Sequence, residues 1–224
     1  MDRVVSSIQK TGGSIDNYIA LATNLGGQRK ILANNADKAD AALAALDVKA
    51  HSLGWVFILD GKIKVECKDH NLLAEQIRAL CLDGDQEQLL LVPKLFSNLC
   101  MKFAESLILT DNASQGVVPL KKAVLKIKGS DVNLLTPVHT AFALVCLKSL
   151  HYDYARCILD TPIFKIDPQS NGLTSLDYLS YFYYTGMIYT GLKNYTKAIE
   201  NFKLTLTVPT TSLSVVQLES YRSA

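Results

Sequence analysis

Apolar residues recur three and four positions apart along most of this chain, and convincing alternation of period two is hard to find. Spacing of three and four gathers side chains on one face of a 3.6-residue helix, whereas a half-buried strand needs every second residue. Between Asp69 and Leu82 the stripe is Leu72, Leu73, Ile77, Leu80 and Cys81. From Gln86 to Leu109 it runs through Leu89, Leu90, Val92, Leu95, Phe96, Leu99, Phe103, Leu107 and Ile108, with Pro93 either bending the segment or opening a second helix. Val117–Ile127, Val138–Leu150, Tyr152–Leu159, Leu173–Gly191, Tyr195–Leu206 and Ser212–Tyr221 are each compatible with helices. The six prolines and twelve glycines fall mostly between these segments. The chain therefore reads as all-α, built from successive antiparallel helix pairs.

The segment Val48–Lys64 admits two readings. Trp55 to Leu59 followed by Asp60-Gly61 could form a β-hairpin, because Asp-Gly suits that turn. A helix from about Ala50 to Leu59 is preferred, since the surroundings are helical and one isolated hairpin is marginally stable.

At 224 residues, with 49% apolar residues, the chain can bury a core as one large domain or two small ones. Its net charge of +2 lacks the basic excess that neutralises phosphates in general nucleic-acid binders. The longest charge-free apolar stretches, such as Leu53–Leu59 and Ala141–Leu147, fall short of the ~18 residues of a membrane span. No secretory start is visible, and five scattered cysteines, an odd number, read as reduced thiols of a soluble intracellular protein.

A repeat lies near the carboxyl end. Gly186, Tyr189, Ala198 and Phe202 stand at offsets 0, 3, 12 and 16, with Pro209 at 23. This is the tetratricopeptide (TPR) pattern, in which small residues let two helices approach and aromatics fill the space beside them. Phe182 stands where the pattern wants Trp, and Thr185 where it wants Leu. A weaker copy 43 residues upstream places Ala143, Ala155 and Leu159 at the positions of Gly186, Ala198 and Phe202. A regular array has a period of about 34. The surplus is assigned to the loop Thr161–Ser170, so the solenoid is irregular, and these four residues are its structural signature.

Residues that could carry chemistry are dispersed. Cys67-x2-His70 is half of a metal site with no second pair at a useful spacing, and Cys146, His151 and Cys157 are not arranged as ligands. Gly12-Gly13 and Gly26-Gly27 lack the phosphate-loop patterns and read as helix terminators. No catalytic, cofactor-binding or metal-ligating residue is assigned, and no cofactor, nucleic acid, membrane or small-molecule substrate is expected. Lys121, Lys122, Lys126 and Lys128 form the densest basic cluster, expected to be a solvated helix face. The run Tyr181-Phe182-Tyr183-Tyr184 points all round a helix, which suits either a buried inner helix or an interface.

The stretch Tyr181–Tyr195, YFYYTGMIYTGLKNY, with Lys197-Ala198, Pro209 and Leu218-Glu219-Ser220-Tyr221, resembles the family of the third subunit of the COP9 signalosome. Leu46-Asp47-Val48 with His51-Ser52-Leu53-Gly54 looks like a second marker, and Gly116–Leu159 aligns in register. The resemblance covers about residues 40–221. It divides the chain into an N-terminal helical segment, 1–45, that matches poorly and a TPR-like repeat arm, 46–224, ending before the family's winged-helix (PCI) module. It implies a non-catalytic scaffold that supports cullin deneddylation, hence regulation of cullin-RING ubiquitin ligases, through contacts with other signalosome subunits in nucleus and cytoplasm. The zinc-dependent isopeptidase chemistry belongs to a different subunit, with a His-x-His motif this chain lacks. A related lid-type assembly, proteasome lid or translation initiation scaffold, is the rival of the same architecture. An enzyme on a helical scaffold is the rival of another class. Because the chain stops inside the repeat arm, it is expected to be a fragment, a short isoform or an incomplete gene model. Leu213, Val215, Val216, Leu218 and Tyr221 would then form an uncapped apolar end that self-associates or takes a partner.

Overall fold

The computed structural model describes residues 1–11, 14–65, 69–207 and 215–223. The helices begin with α1 (Asp2–Lys10), α2 (Ile15–Gly27), α3 (Arg29–Asn34), α4 (Ala39–Ala44) and α5 (Ser52–Ile63). They continue with α6 (His70–Asp83), α7 (Gln86–Leu90), α8 (Pro93–Leu109) and α9 (Val117–Lys128). Strand β1 (Leu134–Leu135) precedes α10 (Pro137–Lys148) and α11 (Tyr152–Leu159), and β2 (Lys165–Ile166) follows them. Then come α12 (Pro168–Asn171), α13 (Ser175–Gly191), α14 (Tyr195–Leu206) and α15 (Val215–Ser223). The all-α reading therefore holds, with one small departure: β1 and β2 form a two-stranded parallel ladder, Leu134 opposite Lys165 and Leu135 opposite Ile166. The loop assigned to Thr161–Ser170 thus carries a strand and the first turn of α12. Pro209 and residues 212–214 lie outside the described residues, as do Gly12, Gly13 and Cys67.

Helix α5 is the hub of the N-terminal half, packed against α2, α3, α4, α6, α7 and α8. Every residue from Ser52 to Lys62 is buried, which is how a helix apolar all round behaves. This decides Val48–Lys64 in favour of a helix, and it runs four residues past the expected end, through Asp60-Gly61. A hairpin would turn alternate members of Trp55-Val56-Phe57-Ile58-Leu59 to water, forfeiting roughly 1.5–3 kcal/mol for each side chain left out. Asp60, 3% exposed, is tolerated because Arg29 Nε (3.0 Å) and Lys64 Nζ (2.8 Å) donate to its carboxylate. Pro93 occupies the first turn of α8, where its missing N–H has no partner to lose.

Three turns build the C-terminal half. Asp111, Leu150 and Lys193, none of them glycine, have φ of 56°, 61° and 59°. In each case the next residue's N–H reaches back to a carbonyl five positions earlier: Asn112 to Leu107 (2.8 Å), His151 to Cys146 (3.0 Å) and Asn194 to Tyr189 (2.9 Å). This left-handed closure satisfies the last carbonyls of a helix and reverses the chain. It recurs after α8, α10 and α13, and the second and third turns are 43 residues apart, the same offset that separates the two sequence copies.

Candidate functional site

The pair α13/α14 packs more extensively than any other pair of described elements. Thr174 opens α13 with a reciprocal cap: its hydroxyl accepts the Asp177 N–H (3.1 Å), and the Asp177 carboxylate accepts the Thr174 N–H (2.9 Å). Asn194 caps α14 by accepting the Lys197 N–H at 3.2 Å. Gly186, Tyr189, Ala198 and Phe202 are all buried. A Cβ on Gly186 would lie 2.6 Å from the Phe202 ring, so the ring sits directly over the glycine backbone. Gly191, one turn and a half further on, does the same toward the preceding hairpin, where a Cβ would lie 2.4 Å from the Tyr152 ring of α11.

A polar junction joins the two hairpins. The Asp160 carboxylate, at the end of α11, accepts from Tyr189 Oη at 2.7 Å and from Lys197 Nζ, and pairs with Arg156. Partial burial raises its pKa, but the bonds from Lys197 and Tyr189 outweigh that and hold the carboxyl below its ordinary value. Burial, and then the hydrogen bond it donates to Asp160, push the Tyr189 phenol up. Lys197 also lies 5.1 Å from the Tyr189 ring centroid. Sequence reasoning missed Asp160, because a lone aspartate after a helix carries no spacing signal.

The tyrosine run divides. Tyr181 and Phe182 are buried; Tyr181 meets His139 of α10 edge-on at 5.9 Å, and Phe182 packs on Tyr178 at 4.6 Å. Tyr183 and Tyr184 are half-buried, with Tyr183 6.1 Å from Phe202. His139 is enclosed: its Nδ1 lies 3.2 Å from the Thr136 N–H, and its Nε2 is buried without a partner. Burial, and then the Lys128 charge, lower its pKa to about 3, so the ring is neutral at physiological pH.

The basic cluster corrects an expectation. Lys122 is exposed, and Lys121 lies 4.7 Å from the Tyr154 ring centroid. Lys126, however, is half-buried and donates to the Leu82 carbonyl at the end of α6 (3.0 Å), while Lys128 is only 8% exposed. Lys126 thus caps α6 and Lys128 is buried, so the face is not a solvated stripe.

Among the described residues, no three His, Cys, Asp or Glu side chains are placed to hold a metal ion, and no helix is long and apolar enough to cross a membrane. His70 and His139 lie in α6 and α10, while His51 and His151 precede α5 and α11; Cys146 is buried in α10 and Cys157 exposed on α11. An open cleft of about 680 Å³ is lined by residues including Tyr18, Asp47, His51, Asp85 and Glu87. The last helix is inverted in character: α15 buries Gln217 and Ser220 and exposes Val215 (78%), Leu218 (43%) and Tyr221 (75%).

The sequence that forms these helical hairpins matches a family of helical repeats. Residues 15–224 match the model of the COP9 signalosome complex subunit 3, N-terminal helical repeats. The chain belongs to this family. It is 34% identical over 184 residues, 82% of its length, to the COP9 signalosome complex subunit 3 of Dictyostelium discoideum, covering 44% of that protein. To the subunit of the same name from Drosophila melanogaster it is 27% identical over 240 aligned residues, covering 99% of this chain and 54% of that one. The chain thus spans about half the length of the curated relatives it matches. The family match begins at residue 15, well before residue 40, where the resemblance read from the sequence starts.

Proposed function

We propose that this chain is the helical-repeat part of a COP9 signalosome subunit 3 and acts by contact rather than by chemistry. The match of residues 15–224 to that subunit's N-terminal helical repeats carries the reading. In this role the stacked hairpins form a non-catalytic scaffold that holds other signalosome subunits while cullins are deneddylated, and so affects cullin-RING ubiquitin ligases in nucleus and cytoplasm. The outward apolar row of α15 supports an assembly function, since exposed apolar side chains in series favour a partner over water.

Affinity purification of the tagged 224-residue chain tests this. The expected outcome is recovery of named signalosome subunits, with cullin-deneddylating activity in the eluate. Recovery of proteasome-lid or translation-initiation subunits instead would assign the chain to a related assembly. A chain that remains monomeric and alone by sedimentation at tens of micromolar, and brings down neither set, would refute the scaffold reading.

A further inference from the structure

Cys81, near the end of α6, and Cys100, within α8, face each other in the core with their Sγ atoms 3.9 Å apart, and both side chains are fully buried. A disulfide needs about 2.05 Å, so the sulfurs are in contact but unbonded. Burial, and then the neighbouring thiol, push the Cys100 thiol well up. In the closed core the pair is therefore shielded twice: no oxidant reaches it, and the reactive thiolate is disfavoured. Lys126 of α9 stands at the edge of this site, its Nζ on the Leu82 carbonyl next to Cys81, and its charge favours the Cys100 thiolate. Were α6 to part from α8, water and oxidant would reach two thiols beside a fixed cation.

We propose that Cys81 and Cys100 are a cryptic redox pair, converted by a hydroperoxide during local opening of α6 from α8 into a disulfide that ties the two helices together. In the first step one thiolate sulfur attacks a peroxide oxygen; the O–O bond breaks, giving a sulfenic acid and hydroxide, which takes up the thiol's proton as water. In the second, the other thiol's sulfur displaces the sulfenic hydroxyl as the S–S bond forms, and its proton leaves with that hydroxyl as a second water. Two thiols lose two electrons and one hydrogen peroxide becomes two waters. Reclosure favours the second step, because packing α6 on α8 returns the sulfurs to contact. Cys157, exposed on α11, reacts without any opening and is the internal reference.

The test uses the full chain carrying Cys67→Ser, treated with hydrogen peroxide in buffer and in urea below the unfolding transition, then alkylated and digested. A linked Cys81–Cys100 peptide is expected, forming at least tenfold faster in sub-transition urea, while oxidation of Cys157 changes less than twofold. The crosslinked chain should unfold at higher urea than the reduced chain. Cys81→Ala and Cys100→Ala should each abolish the linked species while retaining the far-UV helical signal, and if one fails to fold the other decides. Oxidation of Cys157 without the linked peptide, linkage only above the transition, or a crosslinked chain with a lowered midpoint would each overturn the proposal.

Discussion

The hairpins α10/α11 and α13/α14 share one turn and differ in almost everything that follows it. Both close through a left-handed non-glycine residue, Leu150 or Lys193, and the same backward hydrogen bond. In α13/α14 the twelve-residue α14 then packs closely on α13 through Ala198, Phe202 and Thr205, because Gly186 admits the Phe202 ring. In α10/α11 the corresponding residues are Ala143 and Leu159, α11 has only eight residues, and α10 packs mainly on α13, α8 and α9. The β1/β2 ladder, with Asn133 Nδ2 donating to the Pro162 carbonyl at 2.7 Å, closes the open end that weak helix pairing leaves. What repeats in this chain is the turn, and the interface is fitted afterwards by whichever residue is small enough to let an aromatic in.

Truncating the side chain at equivalent positions should break the comparison most visibly. Phe202→Ala should cost about 3–5 kcal/mol in urea unfolding, while Leu159→Ala, on the shorter and more exposed helix, should cost about 2. Equal losses would mean that the two interfaces are alike after all. The His139 ring adds a pH dependence centred on the contact between the hairpins. It is neutral and lowered to about 3 in the fold, against about 6.5 unfolded, so the unfolded chain takes up the proton first as pH falls. Its contribution is whole above pH 6.5 and should drain away at about 1.4 kcal/mol per pH unit down to about pH 3, where the loss levels off. His139→Gln should flatten that slope in a stability-versus-pH series.

Smaller effects sharpen the picture. Gly186→Ala should destabilise by about 1–3 kcal/mol, since its methyl would collide with Phe202, whereas Gly26→Ala, with open space around it, should stabilise by about 0.4–1 kcal/mol. Asp160→Ala should lose about 1 kcal/mol through the Tyr189 and Lys197 bonds, an effect that 1 M salt should reduce but not erase. Leu150→Gly and Lys193→Gly should each gain about 0.5–1 kcal/mol by relieving a left-handed φ. Lys193→Ala, which keeps a Cβ, should be nearly silent.

Helices with a one-sided apolar stripe, such as α6 and α8, were legible from spacing alone. So was the 43-residue offset, although the turns that mark it were not: Leu150 and Lys193 carry no left-handed signature. Helix α5 was harder, because a helix buried all round has no stripe and resembles a strand core until its neighbours are known. Sequence reasoning also takes lysines for solvent, and so it missed the burial of Lys126 and Lys128; that of Lys126 depends on where α6 happens to end. The Asp160 junction was illegible for a related reason, since its partners Tyr189 and Lys197 are 29 and 37 residues away. The family, by contrast, was recognisable from a single fifteen-residue stretch.

The ladder between β1 and β2 also gives the arm a mechanical character. By clasping residue 134 to 165 and residue 135 to 166 it turns α10 and α11 into a closed loop, so tension along the chain bypasses them. A stretched arm should therefore lengthen first at α14 and α15, in small increments. The clasped segment should give way later, all at once, when its short parallel rungs shear.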